Sequence, residues 1–266
     1  MDSPIEALPT VAGLAVTLSG GVLSVTIDRP ESLNSVTTGV LAGIADAVEC
    51  AARDPRVRVV RLGGTGRGFS SGAGISSDDA TDGVPTEIIV EANRAIRAIT
   101  ALPRPVVAVV QGPAAGVGVS LALACDLVLA SEKAFFLLAF TKIGLMPDGG
   151  ASALVAAAIG RIRAMRLALL AERLSAADAL AWGLVSAVYP ADGFDTEVDK
   201  VLAALLAGPA MALAKTKHAV NAATLTELDA ALDRECVGQS VLLSSHDFRE
   251  GTRAFQQRRT AHFTDR

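Results

Sequence analysis

The sequence predicts an α/β chain that ends in a run of helices, and three observations carry that reading. Runs of β-branched residues alternate with segments of helical period, two glycine-rich segments each follow a buried apolar run, and no strong strand signal remains after Phe194.

Taken in order, Ala15 to Leu18 and Val22 to Ile27 flank Gly20-Gly21. Glycine supplies the positive φ angles of a tight turn, so this is a β-hairpin. Thr37 or Thr38 caps a helix whose apolar face is Leu41, Ile44, Ala45 and Val48. A strand from Val57 to Leu62 follows, then a polar glycine-rich loop from Gly63 to Gly83. Thr86 to Ala101 reads as a helix stopped before Pro103, and Pro105 to Gln111 as the next strand, which is βαβ logic. Leu127 to Ala130 is strand, and Ala151–Ile159, Arg161–Ala171 and Ala176–Trp182 are helices. The division predicted is an α/β portion over residues 1–194 and a helical region over 195–266, packed against it and not tethered by a low-complexity linker.

The chain has 266 residues, 51% of them hydrophobic, with a mean hydropathy of +0.43, enough to bury one large core or two modest ones. A net charge of −4 offers no long-range attraction to nucleic acid or an anionic bilayer, which leaves a small molecule as the ligand class. Cys50, Cys125 and Cys236 lack motif spacing and sit in apolar stretches, the pattern of buried free thiols in a reducing compartment. Residues 1–14 carry no Lys or Arg, unlike a signal peptide, and no apolar run approaches the ~18 residues of a membrane span. The expectation is a soluble cytoplasmic protein without metal or redox cofactor.

The informative motifs lie in the two glycine segments, Gly63 to Gly74 and Gln111 to Ser120. Gly68-Phe-Ser-Ser-Gly72 is a literal G-x-S-x-G, which would make Ser70 a hydrolase nucleophile. Five loop residues precede it, polar Ser76 to Asp79 follow it, and all three histidines lie in the helical region, so the context is wrong for that motif. Gly116-Val-Gly118 looks toward a dinucleotide fingerprint, but Leu121 stands at the third glycine and no acidic residue follows at the required distance. Both segments expose backbone amides at strand ends, one set at a helix N-terminus, an arrangement suited to an oxyanion; glycines that merely permit tight turns are the plainer reading of either alone.

The same residues resemble the crotonase (enoyl-CoA hydratase/isomerase) family along the whole chain. Asp28-Arg-Pro-Glu-Ser-Leu-Asn34, Gly66 to Ile75, Val110 to Asp126, Ile143-Gly-Leu-Met-Pro-Asp-Gly-Gly150 and Glu250 to Arg259 match five family segments in order. The resemblance implies a spiral of ββα units with two roughly perpendicular sheets, and a helical C-terminal region that assembles a trimer or a dimer of trimers. It also implies an oxyanion hole from the backbone N–H groups of Ala73 and Val117, each worth ~3–4 kcal/mol against transition-state charge. Coenzyme A, as part of an acyl thioester, would be embraced by Ser32, Leu33, Ser70, Gly72, Gly74 and Ile75, with Gly116 beside the hole. Arg258 stands where the family has a lysine that reaches a CoA phosphate, and is also readable as one of several solvated charges.

The two glutamates with which family hydratases add water are matched here by Ser120 and Phe140, neither of which can activate it. One acid remains, Asp148, between Pro147 and Gly149. Burial against Phe140 and Met146 would raise its pKa and suit it to shuttling a proton, as in an isomerase-type double-bond shift. Capping of the helix that follows is the competing role. A hydratase with weak or rerouted activity and a non-catalytic acyl-CoA binder are the other readings.

Overall fold

In the computed structural model, which describes residues 10–74 and 86–264, strands sort into a large sheet and a second, smaller layer. Strands β1 (Leu14–Ser19) and β2 (Val22–Ile27) form the expected hairpin, with Gly20 and Gly21 at φ 55° and 86°. Positive φ at both turn residues matches the twist of the flanking strands. A short strand β3 (Ser35–Val36) precedes helix α1 (Thr38–Arg53), whose cap is Thr37 Oγ1 accepting from Val40 N–H at 3.2 Å. The predicted face, Leu41, Ile44, Ala45 and Val48, is buried.

Three further units repeat this plan of long strand, short strand and helix. They are β4 (Val59–Gly64), β5 (Gly72–Ala73) and α2 (Glu87–Ala101); β6 (Val106–Val110), β7 (Pro113–Ala115) and α3 (Val117–Ala124); and β8 (Leu127–Ser131), β9 (Phe135–Leu137) and α4 (Ala151–Ile159). Each long strand joins the large sheet, order β1-β2-β4-β6-β8 closed by β11 (Ala187–Tyr189), parallel from β2 onward. Every residue of β6 is buried, as a strand covered on both faces requires. The short strands pair as β3-β5 and as β7-β9-β10, where β10 is Leu174–Ser175, and a Ser70–Ala114 bridge links the two sets. This is the ββα spiral.

Helices α5 (Arg161–Leu170) and α6 (Ala176–Trp182) fall where predicted, and α7 (Phe194–Ala207), α8 (Ala210–Thr224), α9 (Leu228–Leu243) and α10 (His246–Gln256) complete the chain. α7 covers the outer face of the large sheet, packing Phe194, Val198 and Leu202 on Val59, Val107 and Leu129. α8 is tied to the core by Lys217, 7% exposed, which pairs with Asp126 at 2.9 Å. The strand predicted from Val57 begins two residues later and runs into the first glycines. All three cysteines are unpaired, but only Cys125 is fully buried; Cys50 and Cys236 are half-buried. Among the described residues no helix is long and apolar enough to cross a membrane.

Candidate active site

The spiral brings both glycine segments side by side in the second layer, where the Ser70–Ala114 bridge joins them. Asn34, buried with φ 59°, ties the 28–34 loop to the first of them: its Nδ2 donates to the carbonyls of Thr65 (2.8 Å) and Gly68 (2.7 Å), and its Oδ1 accepts from Arg29 N–H (2.9 Å). Gln111 Nε2 donates to the Gly64 and Gly68 carbonyls, both at 2.7 Å. The loop is thus held by side-chain amides reaching its backbone.

Where the segments meet, Gly72 and Gly116 lie back to back. A Cβ on Gly72, at φ 90°, would sit 2.8 Å from the Ala115 carbonyl oxygen, and one on Gly116, at φ 54°, would sit 3.6 Å from Gly72 Cα and 3.9 Å from the Phe140 ring. Ala73 and Val117 follow these glycines. The amides flanking Ala73 are engaged, Gly72 N–H donating to Ser70 Oγ and Gly74 N–H to the Val36 carbonyl, both at 3.2 Å. Ala73 itself lies on the wall of the adjoining cavity. Val117 is the first residue of α3, whose first N–H groups have no intrahelical acceptor.

Beside this pair opens a cavity of about 620 Å³, lined by Ala73, Gly116, Val117, Phe140 and Asp148 and, from the C-terminal helices, by Gln239, Leu243, Phe248 and Phe255. Its wall is overwhelmingly apolar. Asp148 is brought there by a loop pressed onto α3: a Cβ on Gly149 would lie 3.1 Å from both Ser120 Cβ and Val117 Cγ2, and Ser120 Oγ donates to the Asp148 carbonyl oxygen at 2.8 Å. The Asp148 carboxylate accepts from Gln239 Nε2 at 2.8 Å through Oδ2, whereas Oδ1 is enclosed and has no hydrogen-bond partner among the described residues. Burial is the main reason its pKa rises from 3.8 to about 7; the Gln239 hydrogen bond pulls down, and the charge of Glu235 adds to the rise. The side chain as a whole keeps some exposure toward the cavity, but its carboxylate is poorly solvated, and the shift follows the carboxylate.

The α4 N-terminus is not capped by Asp148. Its cap residue is Gly150, and the orphan donors there go to Glu235 on α9: Gly150 N–H at 2.6 Å, Ser152 N–H at 2.8 Å and Ser152 Oγ. Of the two roles weighed for Asp148, capping by its side chain is therefore taken by another acid. Glu235 is fully buried, and burial raises its pKa in spite of these donors.

The enoyl-CoA hydratase/isomerase family model matches residues 17–266. The chain belongs to that family. Among relatives, it is 37% identical over 249 residues to the 1,2-epoxyphenylacetyl-CoA isomerase of Escherichia coli K12, covering 92% of this chain and 95% of that one. It is 39% identical over 251 residues to a probable enoyl-CoA hydratase of Rhodobacter capsulatus, covering 94% and 96%. A crystal structure of an enoyl-CoA hydratase from Mycobacterium avium subsp. paratuberculosis K-10 superposes with a TM-score of 0.92 at 74% identity, covering 96% of this chain and all of that one.

Of the residues that the enoyl-CoA hydratase/isomerase resemblance singles out, Ser32, Leu33, Gly72, Ala73, Gly74, Gly116, Val117, Phe140 and Asp148 line the cavity. Ser70, Ser120, Pro147 and Arg258 do not. Ser70 is fully buried behind the turn, donating to the Asn34 carbonyl at 2.8 Å and accepting from Gly72, so its hydroxyl shapes the loop and is no nucleophile. Ser120, also fully buried, holds the Asp148 loop through its hydroxyl. Pro147 lies within that loop without reaching the wall, and Arg258 is exposed beyond α10 at φ 53°. Ile75, and the Ser76 to Pro85 loop expected to wall the pocket, fall outside the described residues. Glu235 and Gln239 were not singled out in the sequence. The available signal is that both continue the stripe of Leu228, Ala231 and Leu232 that α9 buries, polar residues in phase with an apolar face.

Proposed function

We propose that this family member is an acyl-CoA isomerase that shifts a double bond through a thioester enolate, using Asp148 as its acid/base. The observation that carries the reading is that Asp148, with a pKa of about 7, is the one carboxylate among the described residues on an apolar cavity wall that also holds Ala73 and Val117. The thioester oxygen of a 3-enoyl-CoA would sit between the Ala73 and Val117 N–H groups. Asp148 takes the proton from the carbon between carbonyl and double bond, the C–H electron pair becoming the dienolate, and returns it to the far carbon of the former double bond. Nothing is added or lost, and the double bond arrives in conjugation. A base poised near neutral pH makes both transfers feasible. The isomerase named among the relatives acts on an epoxide and shares with this reading only isomerisation of an acyl-CoA.

Hydration would need a second group to activate water, and the positions where the family resemblance puts glutamates hold an enclosed serine and a phenylalanine ring. Coenzyme A would enter only as part of the substrate, with no further cofactor. A homotrimer or dimer of trimers accounts for Ile162, Leu169 and Leu170, at 77%, 61% and 61% exposure on α5, and for α8, which buries no apolar residue within the chain. We place the assembled enzyme in the cytoplasm.

The test offers 3-hexenoyl-CoA and 2-hexenoyl-CoA in parallel and follows conjugation and hydration separately. Conjugation of the first with slow hydration of the second is expected. Fast hydration of the second overturns the isomerase assignment, and binding without turnover of either points to a non-catalytic acyl-CoA binder.

A further inference from the structure

We propose that Gln239 is the positioning residue for the Asp148 carboxylate, gripping one oxygen from α9 while its own amide is locked by the Met146 backbone; the proposal rests on the reading of Asp148 as acid/base. Gln239 is 1% exposed and makes three hydrogen bonds with one segment. Its Oε1 accepts from Met146 N–H at 3.2 Å, and its Nε2 donates to the Met146 carbonyl at 2.9 Å and to Asp148 Oδ2 at 2.8 Å. The Met146 N–H can only donate, so it selects Oε1 and thereby turns Nε2 toward Asp148. The amide cannot flip without breaking both Met146 bonds. α9 is seated closely enough for this because Gly238 leaves room for the Met146 sulfur, which a Cβ there would strike.

Among the described residues, Nε2 is the one hydrogen-bond donor to the Asp148 carboxylate, and Oδ1 has no partner. A carboxylate with a single donor depends on that donor for its aim and its basicity. Among the described residues, the other groups around it are few. Glu235, one turn back on α9, is the charge that acts on it, with its carboxylate spent on the α4 N-terminus; α3 offers Val117 and Ser120, α4 offers Ser152, and Lys142 lines the same cavity from the 139–143 turn. Gln239 therefore opposes burial and Glu235, and its loss leaves Asp148 a stronger base that is ionised at higher pH and no longer aimed.

The experiment titrates the Asp148 carboxyl in the full-length protein by its infrared C=O band, assigned by difference against Asp148→Asn, in wild type, Gln239→Met and Gln239→Glu. Both substitutions move the midpoint up by roughly one pH unit, the worth of one charge-assisted hydrogen bond. With 3-hexenoyl-CoA, the acid limb of kcat moves alkaline by the same amount, and kcat falls with KM little changed. The wild type supplies a readout that no misfolded variant can spoil: the isotope-labelled Gln239 side-chain amide resonance follows the midpoint of the Asp148 band. A flat amide resonance, or an unmoved midpoint in a variant that retains its fold, overturns the proposal. Failure of wild type to turn over 3-hexenoyl-CoA would sink the isomerase reading, while the infrared and amide titrations still decide the role of Gln239.

Discussion

Replacing Asp148 by asparagine makes the protein more stable at alkaline pH and less stable in acid. In the native state the carboxyl releases its proton at about 7, against 3.8 for the free side chain. Between those values the folded protein keeps a proton that the unfolded chain has lost, so this group's contribution falls as pH rises from ~4 and levels off above ~7. The rise from 3.8 to about 7 corresponds to at most ~4 kcal/mol lost by pH 8.5. Asparagine removes that cost but puts an amide nitrogen where Oδ1 has no partner, a penalty of ~1–3 kcal/mol at every pH. The Gln239 donor still finds an acceptor in the new side chain. The net expectation is stabilisation by ~1–3 kcal/mol at pH 8.5, crossing to destabilisation by ~1–2 kcal/mol at pH 4. Urea denaturation of both proteins at a series of pH values reads the crossing directly. A stability difference that stays constant from pH 4 to pH 8.5 would refute the argument that Asp148 is a neutral acid forced to ionise inside the fold.

Ser120→Ala removes the donor to the Asp148 carbonyl and costs ~1 kcal/mol by urea denaturation, with a fall in kcat because the loop that carries the base loosens. Glu235→Leu strips the Gly150 and Ser152 donors of their acceptor and costs ~3 kcal/mol or more, which thermal unfolding would show as a large drop in Tm. Gly72→Ala combines a φ of 90° with a Cβ against the Ala115 carbonyl; it destabilises by more than ~1 kcal/mol and depresses kcat by shifting the Ala73 amide.

How much of this was legible beforehand differs element by element. The helices α2, α4, α5 and α6 and the hairpin at Gly20-Gly21 lie within a residue of the bounds that local pattern predicts, as does the start of α1, while its last turn to Arg53 runs past the predicted face. Most of the second layer was not: β3, β5 and β10 are two residues long and β7 and β9 three, too short for an alternation to register, and β5 and β7 sit in glycine- or proline-containing segments that read as loop. At the site, Ala73 and Val117 are candidates only through the family resemblance, because backbone amides leave no side-chain signature, and Asp148 is a candidate as the acid left in a matching loop. Ser70 and Ser120 occupy motif positions, yet both hydroxyls point at backbone carbonyls, since a small hydroxyl at a tight crossing is most cheaply satisfied by the nearest main chain. Glu235 and Gln239 lie about ninety residues from the loop they brace, a separation that no local window spans.

The central claim is that one poised carboxylate moves the proton, and the rate of conjugation of 3-hexenoyl-CoA as a function of pH, in wild type and Asp148→Asn, tests it most directly. The account predicts a wild-type rate that rises with pH through a midpoint near 7, as the base ionises, and a loss of at least ~10²-fold with no such limb in Asp148→Asn. Conjugation at the wild-type rate in Asp148→Asn, with the limb intact, would contradict it.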